Sequence, residues 1–241
     1  MFTNKKAVIF DLDGTLIDSL GIWNLVDETL LAELHGPNLS AEEVADFREN
    51  ALVRHAQDNN PYVSFCAELG TLCHSTLSGT EIHHRRYEIS RQLLRTHVQW
   101  RAHATDVIRA MQTAGLRLAI ATTTKAANID IYAHHNPYLG GQLDFASTFE
   151  FILTRESITH IKPDPEIFLL ALDRLKLTAQ ECVVIEDSLA GAQAANAAGI
   201  DVMIIREKWS EQHADALQKI AQGYFENHLA LLPLITAHKN K

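Results

Sequence analysis

Asp11 and Asp13 stand two residues apart directly after the apolar run Ala7 to Phe10. On a chain leaving a strand, residues at this spacing project to one side, so both carboxylates can face one point. Gly14 then lets the backbone turn sharply away. Two adjacent negative charges repel each other and call for a cation. A hard ion such as Mg²⁺ suits them, because it takes carboxylate oxygens and shares its other positions with water and phosphate. A calcium loop of the D-x-D-G type does not fit. It needs an oxygen ligand at its fifth position and a glutamate at its twelfth, where this chain has Thr15 and Ile22.

Three later segments supply what a phosphate-handling site would need. Thr122, Thr123, Thr124 and Lys125 follow a second apolar run and precede a helical stretch, so hydroxyls and amides can cradle an anion. IKPDPEIF at 161–168 sets Lys162 just before a helix beginning near Pro165, where an ammonium can neutralise phosphate and nucleophile together. IEDSLAG at 185–191 ends a run with a second acidic pair, Glu186 and Asp187. Singly, each has a plainer reading: a threonine-rich cap, a surface lysine, a solvated helix start. Together they describe an acidic pocket with one cation and one hydroxyl around a tetrahedral anion.

The elements that must hold these residues alternate. Apolar runs of strand length recur at Ala7 to Phe10, Arg117 to Ala121, Phe149 to Leu153, Cys182 to Ile185 and Val202 to Ile205. Helical spacing lies between them at 106–114, 165–175 and 189–198. Continuous apolar runs suit strands covered on both faces, so the pattern predicts an α/β fold with a parallel sheet. In such sheets ligands bind beyond the carboxyl ends of the strands, which is where the acidic pairs fall. From Ile17 to about Thr96 strand-like runs vanish, and amphipathic stretches at Trp23 to Leu34, Ala41 to Ala56 and Ile82 to Leu94 replace them. Ser40 with Glu43 forms a capping box. The expected organisation is a core of residues 1–16 and 97–241 with a helical insertion at 17–96.

Composition narrows the partners. The chain has 241 residues, 46% of them hydrophobic, enough for a large domain plus a smaller one. Its net charge of −9 argues against nucleic acid or an anionic membrane as the main partner, since both reward a basic face. No apolar stretch approaches the ~20 residues that span a bilayer, and the N-terminal run is too short for a secretory signal. Three cysteines without C-x-x-C spacing fit reduced thiols in the cytoplasm. The histidine pairs at 83–84 and 134–135 lack any metal-binding motif and read as solvated. Arg48, Arg54, Arg85 and Arg86 on the insertion are likewise expected to be solvated. A monomer is expected.

In this order the four segments resemble the signature motifs of the haloacid dehalogenase superfamily, in its branch of phosphatases and phosphomutases. KPDPEIFLLAL and VVIEDSLAGAQAANAAGI are similar to the β-phosphoglucomutase and phosphoglycolate phosphatase subgroup. The resemblance implies a Rossmann-like core with an inserted α-helical cap. It makes Asp11 the nucleophile and Asp13 the general acid and base. It gives Mg²⁺ to the side chains of Asp11 and Asp187 and the carbonyl of Asp13, with Glu186 as a further ligand or its support. Thr122, helped by the Thr123 amide, holds the phosphoryl group, and Lys162 stabilises its charge. The implied activity is hydrolysis of a small phosphate ester, such as a sugar phosphate, through an aspartyl phosphate. The chain departs from the pattern at Trp23, where mutase relatives usually carry histidine, at Ile161, where glycine is common, and in the long stretch 134–161. A sugar phosphomutase, a dehalogenase and a non-catalytic phosphometabolite binder are the alternatives, separable by a hexose bisphosphate activator, by metal dependence and by phosphoaspartate trapping.

Overall fold

Ala7, Val8, Ile9 and Phe10 are wholly buried and form β1 (Ala7–Phe10), an inner strand of a six-stranded sheet. The chain continues through β2 (Ile17–Asp18), β3 (Gln99–Trp100), β4 (Arg117–Ala121), β5 (Ile152–Leu153), β6 (Cys182–Glu186), β7 (Asp201–Ile205) and β8 (Gly223–Phe225). The sheet order is β5-β4-β1-β6-β7-β8, and every neighbouring pair is parallel. Phe10 lies opposite Ile120 on one side and Ile185 on the other. Three strands therefore end at one level, and the residues that follow them meet. The order reverses about β1 and β6, the switch point at which open α/β sheets bind ligands. The structure is a computed structural model and describes residues 1–55 and 57–239.

The fold divides into two compact units, Met1–Leu20 with Val98–Lys241, and Gly21–His97. The second unit is all helical: α1 (Ile22–Glu33), α2 (Ala41–Arg54), α3 (Pro61–Leu72) and α4 (Gly79–Thr96). Ser40 with Glu43 and Ser78 with Glu81 close reciprocal capping boxes at α2 and α4, while Asn60 caps α3 with Pro61 in its first turn. Its interior holds Val26, Leu30, Phe65, Leu69 and Ile82. A buried ion cluster crosses it: Asp27 accepts from Arg48 at 2.6 Å and from Arg86 at 2.5 Å. The Arg86 guanidinium lies 5.1 Å from the centre of the ring of half-buried Trp23, within cation–π range. Arg86 is thus buried rather than solvated. Arg85 pairs with Glu33, and Arg54 with Glu68.

In the first unit the helices are α5 (Ala104–Thr113), α6 (Ala126–Asp130), which runs into a π-helical turn at Ile131–His135, α7 (Phe145–Thr148), α8 (Glu166–Leu175), α9 (Leu189–Ala197), α10 (Ala214–Ile220) and α11 (Leu232–Lys239). Ile167 and Phe168 of α8 and Ala192, Ala194 and Ala195 of α9 are buried with Ile9, Val184 and Val202 in one core. The alanines matter because small side chains let α9 approach the sheet closely. Arg101 begins the return from β3, and its backbone N–H donates to the Leu16 carbonyl at 2.9 Å.

Several expectations change. The insertion was expected from residue 17, yet Ile17 and Asp18 pair with Trp100 and Gln99 and stay with the first unit. Only Ile152 and Leu153 of the run 149–153 are strand. Phe149 ends α7 and is apolar because it packs edge-on against Phe10, with ring centres 6.3 Å apart. β8 and α3 are additional elements. The end of the stretch expected as helix 41–56 falls at Arg54, and Ala56 lies outside the described residues. All three cysteines are free, and burial pushes the thiol pKa up to about 12 for Cys66 and about 11 for Cys182. Among the described residues no helix is long and apolar enough to cross a membrane.

Candidate active site

The carboxyl end of β1 delivers Asp11, whose backbone N–H donates to the Ile185 carbonyl of β6 at 2.9 Å. Gly14, with φ of +83°, turns the chain back so that its N–H reaches the Ile17 carbonyl. A side chain at Gly14 is excluded twice, by the positive φ and because its Cβ would stand 2.5 Å from Asp187 Oδ2. The Gly14 carbonyl accepts from Arg101, which also donates to the Arg206 carbonyl at 2.7 Å and pairs with Glu207 at 3.0 Å. Arg101 had no local signal in the sequence, and it ties the acidic turn to the segment after β7.

Lys162 arrives from the loop before α8. Its Nζ donates to Asp11 Oδ1 at 2.6 Å, to Glu186 Oε1 at 2.7 Å and to the Ala121 carbonyl at 3.0 Å. Three donors meet three acceptors, so this buried ammonium is satisfied. Burial alone would lower its pKa, but Asp11 and Glu186 outweigh that and hold it above the ordinary lysine value.

Glu186, the last residue of β6, has no exposed surface. Its Oε1 takes Lys162, and its Oε2 accepts the Asp187 and Ser188 amides at 2.9 Å each and the Ser188 hydroxyl at 3.0 Å. Asp187 Oδ1 accepts from the Thr15 hydroxyl at 2.6 Å. Burial, with Glu186 and Asp11 close by, holds the Asp187 carboxyl well above the usual range. Asp11 rises to about 7, through burial first and against the pull of Lys162. One oxygen from each of Asp11, Glu186 and Asp187 falls within 4.8 Å of the others.

Thr122 is buried at the end of β4, and its hydroxyl accepts the Thr124 amide at 3.2 Å. Thr123 is exposed on the rim. Thr124, rather than Thr123, reaches the acidic pair, because its hydroxyl donates to Asp13 Oδ2. Asp13 Oδ1 accepts from Ser19 at 2.5 Å and from Tyr132 at 3.2 Å. Asp11, Asp13, Thr122, Thr123, Thr124, Lys162, Glu186 and Asp187 line a cleft of about 320 Å³ together with Leu20, Ile161 and Trp209. Ser19, Thr124, Tyr132 and Trp209 were not singled out from the sequence. Thr124 lay inside a motif already read, whereas Tyr132 comes from a segment without a recognisable pattern. All seven residues expected at the site, Asp11, Asp13, Thr122, Thr123, Lys162, Glu186 and Asp187, line this one cleft.

Residues 8–205 match the family model described as haloacid dehalogenase-like hydrolase. The protein CbbY of Rhodobacter capsulatus is 30% identical over 209 residues, covering 85% of this chain and 87% of that one. A phosphorylated carbohydrates phosphatase of Thermotoga maritima is 25% identical, covering 81% of this chain and 82% of that one. Among solved structures, CbbY from Rhodobacter sphaeroides in complex with phosphate superposes with a TM-score of 0.70 at 23% identity, over 94% of this chain and 96% of that one.

Proposed function

The chain belongs to the haloacid dehalogenase-like hydrolases, and from that premise we propose that it is a Mg²⁺-dependent phosphatase that cleaves small phosphate esters, sugar phosphates foremost, through a phosphorylated Asp11. The observation that carries this reading is Lys162 Nζ, buried between Asp11 Oδ1 and Glu186 Oε1 at 2.6 and 2.7 Å. An ammonium so placed neutralises an attacking carboxylate and an incoming phosphoryl group at one point.

The donor set fits a divalent cation. Four carboxylates, Asp11, Asp13, Glu186 and Asp187, line the cleft with Lys162 as their cation, and burial first, then the neighbouring carboxylates, raise the pKa values of Asp11 and Asp187. Because both Glu186 oxygens already serve protein donors, it acts as support. Asp11, Asp187 and the Asp13 carbonyl are left as ligands. Bound there, Mg²⁺ supplies charge neutralisation and Lewis acidity toward a phosphoryl oxygen.

The remaining work belongs to the chain. An Asp11 oxygen attacks phosphorus while Thr122 and Lys162 hold the phosphoryl oxygens, and the ester P–O bond breaks. Asp13 gives its proton to the departing oxygen. It then takes one from the water that attacks the aspartyl phosphate, returning Asp11 and releasing inorganic phosphate. Substrate class rests on the Thermotoga relative, named for phosphorylated carbohydrates. Purified protein with Mg²⁺ and a panel of metabolite phosphates tests the proposal. Release of phosphate from sugar phosphates, lost in Asp11→Asn and Asp13→Asn, is expected. Comparable turnover in either folded variant refutes the assignment.

A further inference from the structure

Three hydroxyls hold the Asp13 carboxylate. Ser19 at 2.5 Å and Tyr132 at 3.2 Å share Oδ1, and Thr124 occupies Oδ2. The three come from different places: Ser19 follows β2, Thr124 follows β4, and Tyr132 belongs to the π-helical turn at Ile131–His135 that continues α6. A π-turn adds a residue to a helical stretch and redirects the side chains after it, and such turns concentrate at functional sites. Here the turn carries a large phenol that is 2% exposed, with its ring in the core and its hydroxyl on a carboxylate. A hydrophobic anchor of that size would be served equally by phenylalanine unless the hydroxyl has a task.

We propose that Tyr132 is a positioning residue that fixes the Asp13 carboxylate in the orientation from which it protonates the leaving group. The assignment rests on the proposed phosphatase reading and extends it to a residue outside the four motifs. The phenol stays protonated, since burial and then the neighbouring Asp13 charge raise its pKa well above the ordinary tyrosine value, and it therefore donates. With Ser19 on Oδ1 and Thr124 on Oδ2, each oxygen would be held by one hydroxyl and could still shift about that single contact. A second donor, from a rigid element on another side, removes that freedom. Positioned carboxyl groups contribute about 10²- to 10⁴-fold as general acids, and loss of orientation forfeits part of that factor.

The test uses leaving groups of different basicity, because only a poor one needs the proton. With the full chain and Mg²⁺, kcat/KM is measured for phenyl phosphate, whose phenolate is as basic as a tyrosinate of pKa about 10, and for p-nitrophenyl phosphate, whose leaving group departs as a stable anion. This ratio covers the steps through departure of the leaving group, so later hydrolysis of the aspartyl phosphate does not enter. Tyr132→Phe is expected to lose about tenfold more on phenyl phosphate than on p-nitrophenyl phosphate. Ser19→Ala, which removes the other donor to the same oxygen, is expected to show the same selectivity, and Tyr132→Met, which keeps buried bulk without a donor, carries the test of Tyr132 if Tyr132→Phe is poorly folded. Equal losses on both substrates, or no loss, overturn the role of Tyr132. Asp11→Asn in the same assay keeps the two claims apart. If it is inert while Tyr132→Phe is unselective, only the positioning role falls. If it turns over like the wild type, the nucleophile assignment fails and this role falls with it.

Discussion

Gly191, in the first turn of α9, lies against the Glu186 carboxylate so closely that a methyl group there would overlap Oε1 and stand 2.5 Å from Oε2. Glu186 cannot retreat, because its two oxygens hold Lys162, two backbone amides and the Ser188 hydroxyl. The glycine of IEDSLAG therefore belongs to the carboxylate rather than to the helix.

This makes Gly191→Ala run against the usual rule. Within a helix, alanine in place of glycine ordinarily adds about 1 kcal/mol of stability. Here the added carbon must displace a buried, fully bonded carboxylate, and overpacking of that kind costs about 1–3 kcal/mol. Urea unfolding should give a lower free energy for Gly191→Ala, together with lower turnover as Lys162 shifts with Glu186. A more stable variant with normal activity would show that the carboxylate yields easily.

Lys162→Met is expected to be costly for stability as well as for activity. Removing the ammonium leaves Asp11 and Glu186 buried with uncompensated charge, and breaking such a pair on one side costs about 3–5 kcal/mol. Unfolding of the protein in a chelating buffer measures it. Lys162→Arg should not restore turnover, because a planar guanidinium cannot direct three donors from one nitrogen at Asp11, Glu186 and the Ala121 carbonyl. An active arginine variant would argue that charge alone suffices.

How far the sequence discloses these features depends on whether the signal is local. β1, β4, β6 and β7 are legible because each is a continuous buried run, and their acidic or hydroxylic ends mark where ligands gather. Phe149 misleads because burial against Phe10 yields the same apolar letters as strand pairing. β8 contributes only Gly223, Tyr224 and Phe225, too few to show a period. α3 carried a readable start in Asn60 and Pro61, but its modest apolar face and Gly70 blur the pattern. Tyr132 and Arg101 lie 119 and 87 residues from the site residues they touch, Asp13 and Gly14, and no spacing rule links positions so far apart.

Metal should stabilise the folded chain, since a cation that binds only the native site shifts unfolding by mass action. The melting temperature is expected to rise with Mg²⁺ concentration, to return to its starting value on chelation, and to respond much less in Asp187→Asn. The effect has a pH limit. Asp11, with its pKa raised to about 7, and Asp187, raised well above the usual range, take up protons as pH falls, and protonated carboxyls do not hold the ion. The Mg²⁺-dependent increment should therefore shrink below about pH 7. An increment unchanged at pH 5, or intact in Asp187→Asn, would locate the binding elsewhere.

His228 gives the first unit a second pH dependence, independent of metal. The ring is 1% exposed, and its Nε2 has no hydrogen-bond partner among the described residues. Burial first, then the charges of Arg101 and His103, lower its pKa to about 4 from an ordinary value of 6.5. Between those values the unfolded chain binds a proton that the native ring refuses, so the contribution to stability is full above about pH 6.5 and is lost as pH falls toward 4. The shift corresponds to roughly 3 kcal/mol at its limit. His228→Asn cannot titrate, so whatever its absolute stability, its free energy of unfolding should fall less steeply than that of the wild type between pH 7 and 4. Equilibrium unfolding in chelating buffer at several pH values measures both slopes. Identical slopes would mean that the ring gains a proton in the native state as readily as in the unfolded one.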